Sequence, residues 1–80
     1  MKPAVERLEA LLASQGESAL LRFGLGNALL NDEPAAAAEH LRRAVALDPA
    51  YSAAWKLLGR ALAASGADEQ AKEAYMQGIS

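Results

Sequence analysis

Trp55-Lys56-Leu57-Leu58-Gly59-Arg60-Ala61-Leu62, followed by Ala71 and then by Tyr75 and Gly78, is the stretch on which the fold turns. Leucines and alanines recur in it at helical spacing, yet a glycine sits in the middle of the first helical pattern and another in the second. A glycine inside a helix costs about 1 kcal/mol relative to alanine, so Gly59 implies a neighbour too close for a Cβ. The same arrangement occurs upstream: Leu25-Gly26 recurs as Leu58-Gly59, and each pair is followed, at equal spacing, by a further leucine, Leu29 or Leu62. Ala37, Leu41 and Ala44 return with the same internal spacing as Ala71, Tyr75 and Gly78. Two copies of one helix hairpin are therefore expected. They differ by a single residue in the inner turn, since Gly59 to Ala71 is one step longer than Gly26 to Ala37. Close approach of a neighbouring backbone at the glycines is the simplest explanation. Ala37, Ala44, Ala71 and Gly78 would supply the flat matching surface, with Leu41 and Tyr75 filling the space between.

Working outward, the remaining punctuation divides the chain into five helices over approximately 3–14, 18–31, 34–47, 51–65 and 68–79. Pro3 and Pro34 occupy first-turn positions, where a missing N–H is harmless. Ser18 and the Asp32-Glu33 pair precede helices as capping candidates, and Gly16 and Gly66 follow them. Asp48-Pro49 stops the third helix, since the residue before a proline is driven out of the helical region. The first helix carries Ala4, Leu8 and Leu11, which repeat the spacing of Ala37, Leu41 and Ala44, and so reads as a half-repeat. The connections are short, which makes successive helices antiparallel.

Composition agrees with an all-α fold. The 80 residues include 20 Ala and 13 Leu but only three Val plus Ile, the reverse of what strands favour. With no cysteine, disulfides cannot staple so small a core. A net charge of −2 provides no field to draw nucleic acid or anionic lipid, and no apolar run approaches the ~20 residues that cross a bilayer. A cytoplasmic protein with neither nucleic-acid nor membrane partners is the expectation.

The two copies resemble the tetratricopeptide repeat, whose unit of about 34 residues places Trp, Leu-Gly, Ala, an aromatic, a second small residue and Pro at fixed intervals. The second copy, within 51–80, presents Trp55, Leu58, Gly59, Leu62, Ala71, Tyr75 and Gly78; the first, within 18–49, presents Leu25, Gly26, Leu29, Ala37, Leu41, Ala44 and Pro49. These fourteen positions are the expected structural core. Residues 3–14 form the half-repeat, and the whole chain is one α-solenoid domain. Two departures matter. Arg22 occupies the slot of Trp55, leaving local packing to Leu21 or Phe23. The sequence also ends before the second copy reaches a closing proline or a capping helix, which implies either a longer natural chain or a homodimer through Tyr75, Met76 and Ile79.

The resemblance implies a non-enzymatic adaptor or scaffold that binds a peptide or protein segment in a concave groove. Mapped by position, that groove takes Leu20, Phe23, Asn27, Leu30 and Asn31 from the first copy, and Ala53, Lys56, Arg60, Ala63 and Ala64 from the second. Phe23 would be an exposed aromatic. Lys56 and Arg60 would suit an acidic side chain or a C-terminal carboxylate, although at i and i+4 they also read as a plain solvated face. The carboxylate clamp of chaperone-binding family members is not matched: Asn27 fits it, but Phe23 and Leu57 stand where polar residues are needed. The alternative function is structural self-association through the last helix.

No catalytic constellation is visible. The single His40 has no second histidine or cysteine for a metal site and reads as a helix-surface residue. Arg42-Arg43 is explained by the negative end of the third helix. Gly24-x-Gly26 falls inside a helix, where it cannot cradle a phosphate. No cofactor is implied.

Overall fold

The computed structural model describes residues 2–79. They form α1 (Pro3–Gln15), α2 (Ala19–Leu29), α3 (Pro34–Leu47), α4 (Ser52–Ala64) and α5 (Asp68–Ile79), close to the expected bounds. Among the described residues all regular structure is helical. Pro3 and Pro34 each lie in a first turn. Gly16 and Gly66 follow α1 and α4 with φ of 87° and 88°, a left-handed conformation in which a Cβ is strained. Ser18 accepts a hydrogen bond from the Leu21 backbone N–H at 3.2 Å and caps α2. Asp32 does not cap α3: Glu33 is the N-cap and makes no side-chain cap bond, because Asp32 is drawn instead to Lys2 Nζ at 2.7 Å. Asp48 closes the next connection by accepting the Ala50 N–H at 3.1 Å.

Each helix packs on the next, and α4 runs antiparallel to α5. A Cβ placed on Gly59 would meet Tyr75, while Lys56, one turn earlier, lies against Gly78, one turn later. The helices form two layers, α2 and α4 in one and α1, α3 and α5 in the other. α2 touches α4, whereas the backbones of α3 and α5 stay apart. The stack therefore curves with α2 and α4 on the inside, giving a slab of 34 × 25 × 13 Å.

The glycines fit side chains rather than backbone, which corrects the expectation of backbone contact. A Cβ on Gly26 would lie 2.6 Å from Leu41 Cδ2, and one on Gly59 would lie 2.7 Å from Tyr75 Cε1. α2 carries a second such glycine on its other side: a Cβ on Gly24 would lie 3.3 Å from Leu8 of α1. Gly24 and Gly26 thus let α2 seat a leucine from each neighbouring helix.

Eleven of the fourteen expected core positions are buried: Leu25, Gly26, Leu29, Ala37, Leu41, Ala44, Leu58, Gly59, Leu62, Ala71 and Gly78. Three are not. Pro49 is exposed, acting only through the turn that it makes. Tyr75 keeps 37% of its surface in solvent, because no further helix of the described chain covers the face equivalent to that which α4 covers over Leu41. Trp55 is half-buried, its ring packed on the core and its indole N–H donating to the Pro49 carbonyl at 2.8 Å.

Candidate functional site

The inner surface is built by α2 and α4, whose sequences contain no aspartate or glutamate. All ten acids of the chain lie in α1, α3, α5 and the connections. The inner layer carries Arg22, Lys56 and Arg60. Arg22 is neutralised by Glu17, to which it donates through Nε at 2.8 Å and Nη2 at 2.6 Å. Lys56 and Arg60 make no ion pair among the described residues. In a protein of net charge −2, the concave side is thus a local positive surface.

A cavity of about 300 Å3 opens on this side, lined by Leu30, Asn31, Arg60, Ala63, Ala64 and Tyr75. The structure brings together five of the expected groove residues, Leu30, Asn31, Arg60, Ala63 and Ala64. Leu30 is only 8% exposed and forms the floor rather than an open wall. Arg60 and Asn31 supply the polar edge. Tyr75, read from sequence as core, is the residue missed here. Its ring packs against Gly59 and lines the cavity, and the repeat pattern, which placed it by analogy with buried Leu41, gave no signal of that exposure.

The other groove positions lie elsewhere on the surface. Leu20, 69% exposed, stands near the start of α2. Asn27 and Ala53 are exposed and line none of the described cavities. Phe23 is not a free aromatic: it is half-buried and stacked on Tyr51, with ring centroids 5.1 Å apart and planes inclined by 25°. Lys56 stays exposed, but its stem crosses Gly78 of α5, so its ammonium belongs to the rim.

The slot of the missing tryptophan is filled by a polar cluster. Arg22 Nη1 lies 2.9 Å from His40 Nδ1, and Arg43 Nη1 lies 3.9 Å from Glu17 Oε2. His40 is therefore half-buried and hydrogen-bonded rather than a simple surface residue. Burial pushes its pKa below the usual imidazole range, and adjacent Arg22 pushes it further, against the opposing pull of Glu9, Glu17 and Glu39. The hydrogen bond from Arg22 holds the Glu17 carboxyl below its ordinary value. Arg42 and Arg43 likewise act through side chains: neither lies in the last turn of α3, and Arg42 Nη2 donates to Gln70 Oε1.

Among the described residues no group of three or more His, Cys, Asp or Glu could hold a metal ion, and no helix is long and apolar enough to cross a membrane.

Residues 28–79, well over half of the chain, match a tetratricopeptide repeat family model. The chain belongs to the tetratricopeptide repeat family. The matched span begins in α2 and takes in α3, α4 and α5, so this tetratricopeptide repeat protein also carries α1 and the start of α2 outside it. It is 51% identical over 76 residues to a TPR repeat-containing protein of Pseudomonas aeruginosa, covering 94% of this chain and 72% of that one. The solution structure of a Bordetella parapertussis protein superposes with a TM-score of 0.78 at 42% identity, over 99% of this chain and 70% of that one. Membership of the tetratricopeptide repeat family points to protein–protein interaction rather than to catalysis.

Proposed function

We propose that the concave side binds a peptide or protein segment and that Arg60 anchors an acidic side chain or C-terminal carboxylate of that segment. The observation that carries this reading is charge segregation. α2 and α4 hold no acid, and among the described residues Arg60 has no ion-pair partner at a cavity that Asn31 and Tyr75 edge and Leu30, Ala63 and Ala64 line. A guanidinium holds a carboxylate through two parallel hydrogen bonds, Asn31 adds a side-chain amide, and the alanines leave room for an apolar neighbour. Lys56, on the rim, adds a point charge to the same field. The cavity is large enough for a terminal group or one side chain, with the rest of the segment lying along α2 and α4.

Selection from a displayed peptide library against the intact protein tests the reading. Peptides with an acidic or free C-terminal anchor should be enriched, and Arg60→Glu should weaken them at least tenfold without a change in melting temperature. Enriched peptides that bind Arg60→Glu as well as the parent would exclude the groove.

A second reading, self-association through α5, is favoured by the exposure of Met76 at 68% and Ile79 at 82%. Light scattering across a concentration series separates the two: an increase in mass that Ile79→Lys abolishes supports self-association, and Arg60→Glu should leave it untouched.

A further inference from the structure

A second cavity lies on the opposite side from the groove. It is an open cleft of about 670 Å3 between α3 and α5, floored by Trp55, Leu58 and Leu62 of α4 and walled by Arg42 of α3 and by Gln70, Glu73 and Ala74 of α5. Its origin is the curvature of the stack. The backbones of α3 and α5 stay apart, so Trp55 of α4 is left partly exposed between them, with Leu58 and Leu62 buried beneath it. A volume of this order is typical of ligand and side-chain pockets. Across the cleft, Arg42 Nη2 donates to Gln70 Oε1.

We propose that this cleft is a second docking site, independent of the groove, for a partner segment that carries a large apolar side chain next to a lysine or arginine. The apolar contact is the floor: the partly exposed indole of Trp55, backed by buried Leu58 and Leu62, offers its face to an aliphatic or aromatic anchor. The charged contact is complementarity at the rim. Arg42 is engaged by Gln70 and lies 3.9 Å from Glu39, whereas Glu73 has no hydrogen bond or ion pair among the described residues. α5 as a whole carries Asp68, Glu69 and Glu73 against Lys72 alone, and Lys72 is taken up by Glu69 at 3.7 Å. α4 is therefore free of acids and α5 rich in them, and the cleft sets Arg42, within 3.9 Å of Glu39, against Glu73. A cationic segment is repelled by Arg60 and Lys56 but is attracted to Glu73.

Trp55 is the single tryptophan, so its emission reports on the cleft directly. The probe is a peptide of leucine and lysine, about 14 residues long so that a helix can form in isolation, titrated into the intact protein alongside its leucine and glutamate counterpart. The expected result is a saturable change in emission with the lysine peptide, with affinity at least tenfold lower for the glutamate peptide and at least tenfold lower in Glu73→Lys. Glu69→Lys, which removes the same charge from α5 outside the cleft, and Arg60→Glu should both leave the affinity within about twofold. All three positions are exposed, so circular dichroism should show intact helices. The proposal is overturned by the absence of a saturable change, by equal response to the two peptides, by equal losses in Glu69→Lys and Glu73→Lys, or by loss in Arg60→Glu instead.

Discussion

Tyr75 packs on Gly59, so close that a Cβ at that position would sit 2.7 Å from the ring. Leu41 stands in the same relation to Gly26, one repeat earlier, with its side chain fully buried. Replacing a mid-helix glycine by alanine ordinarily stabilises a helix by about 1 kcal/mol. Here the sign reverses. Gly26→Ala should lose about 2–3 kcal/mol to overpacking, because Leu41 is enclosed and cannot yield. Gly59→Ala should lose less, about 1 kcal/mol, because half-open Tyr75 can swing toward solvent. Urea denaturation followed by circular dichroism measures both, and equal losses would show that Tyr75 is as confined as Leu41.

Trp55 separates packing from hydrogen bonding. A fully buried tryptophan costs about 3–5 kcal/mol on truncation to alanine, but this indole is only partly buried. Trp55→Ala should therefore cost about 2 kcal/mol, and Trp55→Phe, which retains most of the apolar contact but loses the N–H bond to the Pro49 carbonyl, about 1 kcal/mol. A Trp55→Phe loss as large as the alanine loss would assign the stability to the hydrogen bond alone.

His40 makes stability depend on pH near neutrality. Its pKa in the fold lies below that of the unfolded chain, mainly through burial and then through Arg22, so the unfolded state binds more protons as the pH drops. The stabilisation is complete above the unfolded value, near 6.5, and is lost as the pH falls through the folded value. Thermal unfolding between about pH 7.5 and about pH 5.5 should show a falling midpoint, with a shallower fall in His40→Gln. Glu17, whose folded pKa is also lowered, acts in the same direction but further down, below 4.5, and leaves that window clear.

Capping is unevenly distributed. Ser18 accepts the Leu21 N–H and Ser52 caps nothing, since Tyr51 is the N-cap of α4 and makes no side-chain cap bond. Ser18→Ala should cost about 1 kcal/mol, and Ser52→Ala should stay within about 0.5 kcal/mol of the parent. Thermal melts of the two variants decide it: a comparable loss at both would place the effect of Ser18 in general helix propensity rather than in the cap.

Much of this architecture is legible in the order of residues. Local rules suffice for the helix bounds: proline at the first turn of α1 and α3, glycine beyond α1 and α4, and Asp48-Pro49 between α3 and α4. The repeat follows from the recurrence of Leu25-Gly26 as Leu58-Gly59, since a glycine retained at one place in two helices is a packing signal. Most core positions are readable for the same reason, because burial in a repeat is set by periodicity.

What the order of residues could not decide is which face stays open. Leu41 and Tyr75 occupy the same slot, yet one is sealed by α4 and the other looks into the concave cavity. Phe23 reads as exposed until Tyr51 arrives from the next repeat to stack on it. Arg22 and His40 look unrelated at 18 positions apart, but the antiparallel return of α3 brings them within 2.9 Å. Trp55 reads as core until the curvature that separates α3 from α5 uncovers it. Sequence determined the helices, their repeat and the small residues that let them nest, because those depend on spacing within one or two turns. Tertiary structure alone decided the cavities and the charged contacts, because each depends on whether another helix lies above a given slot, and neighbouring residues carry no record of that.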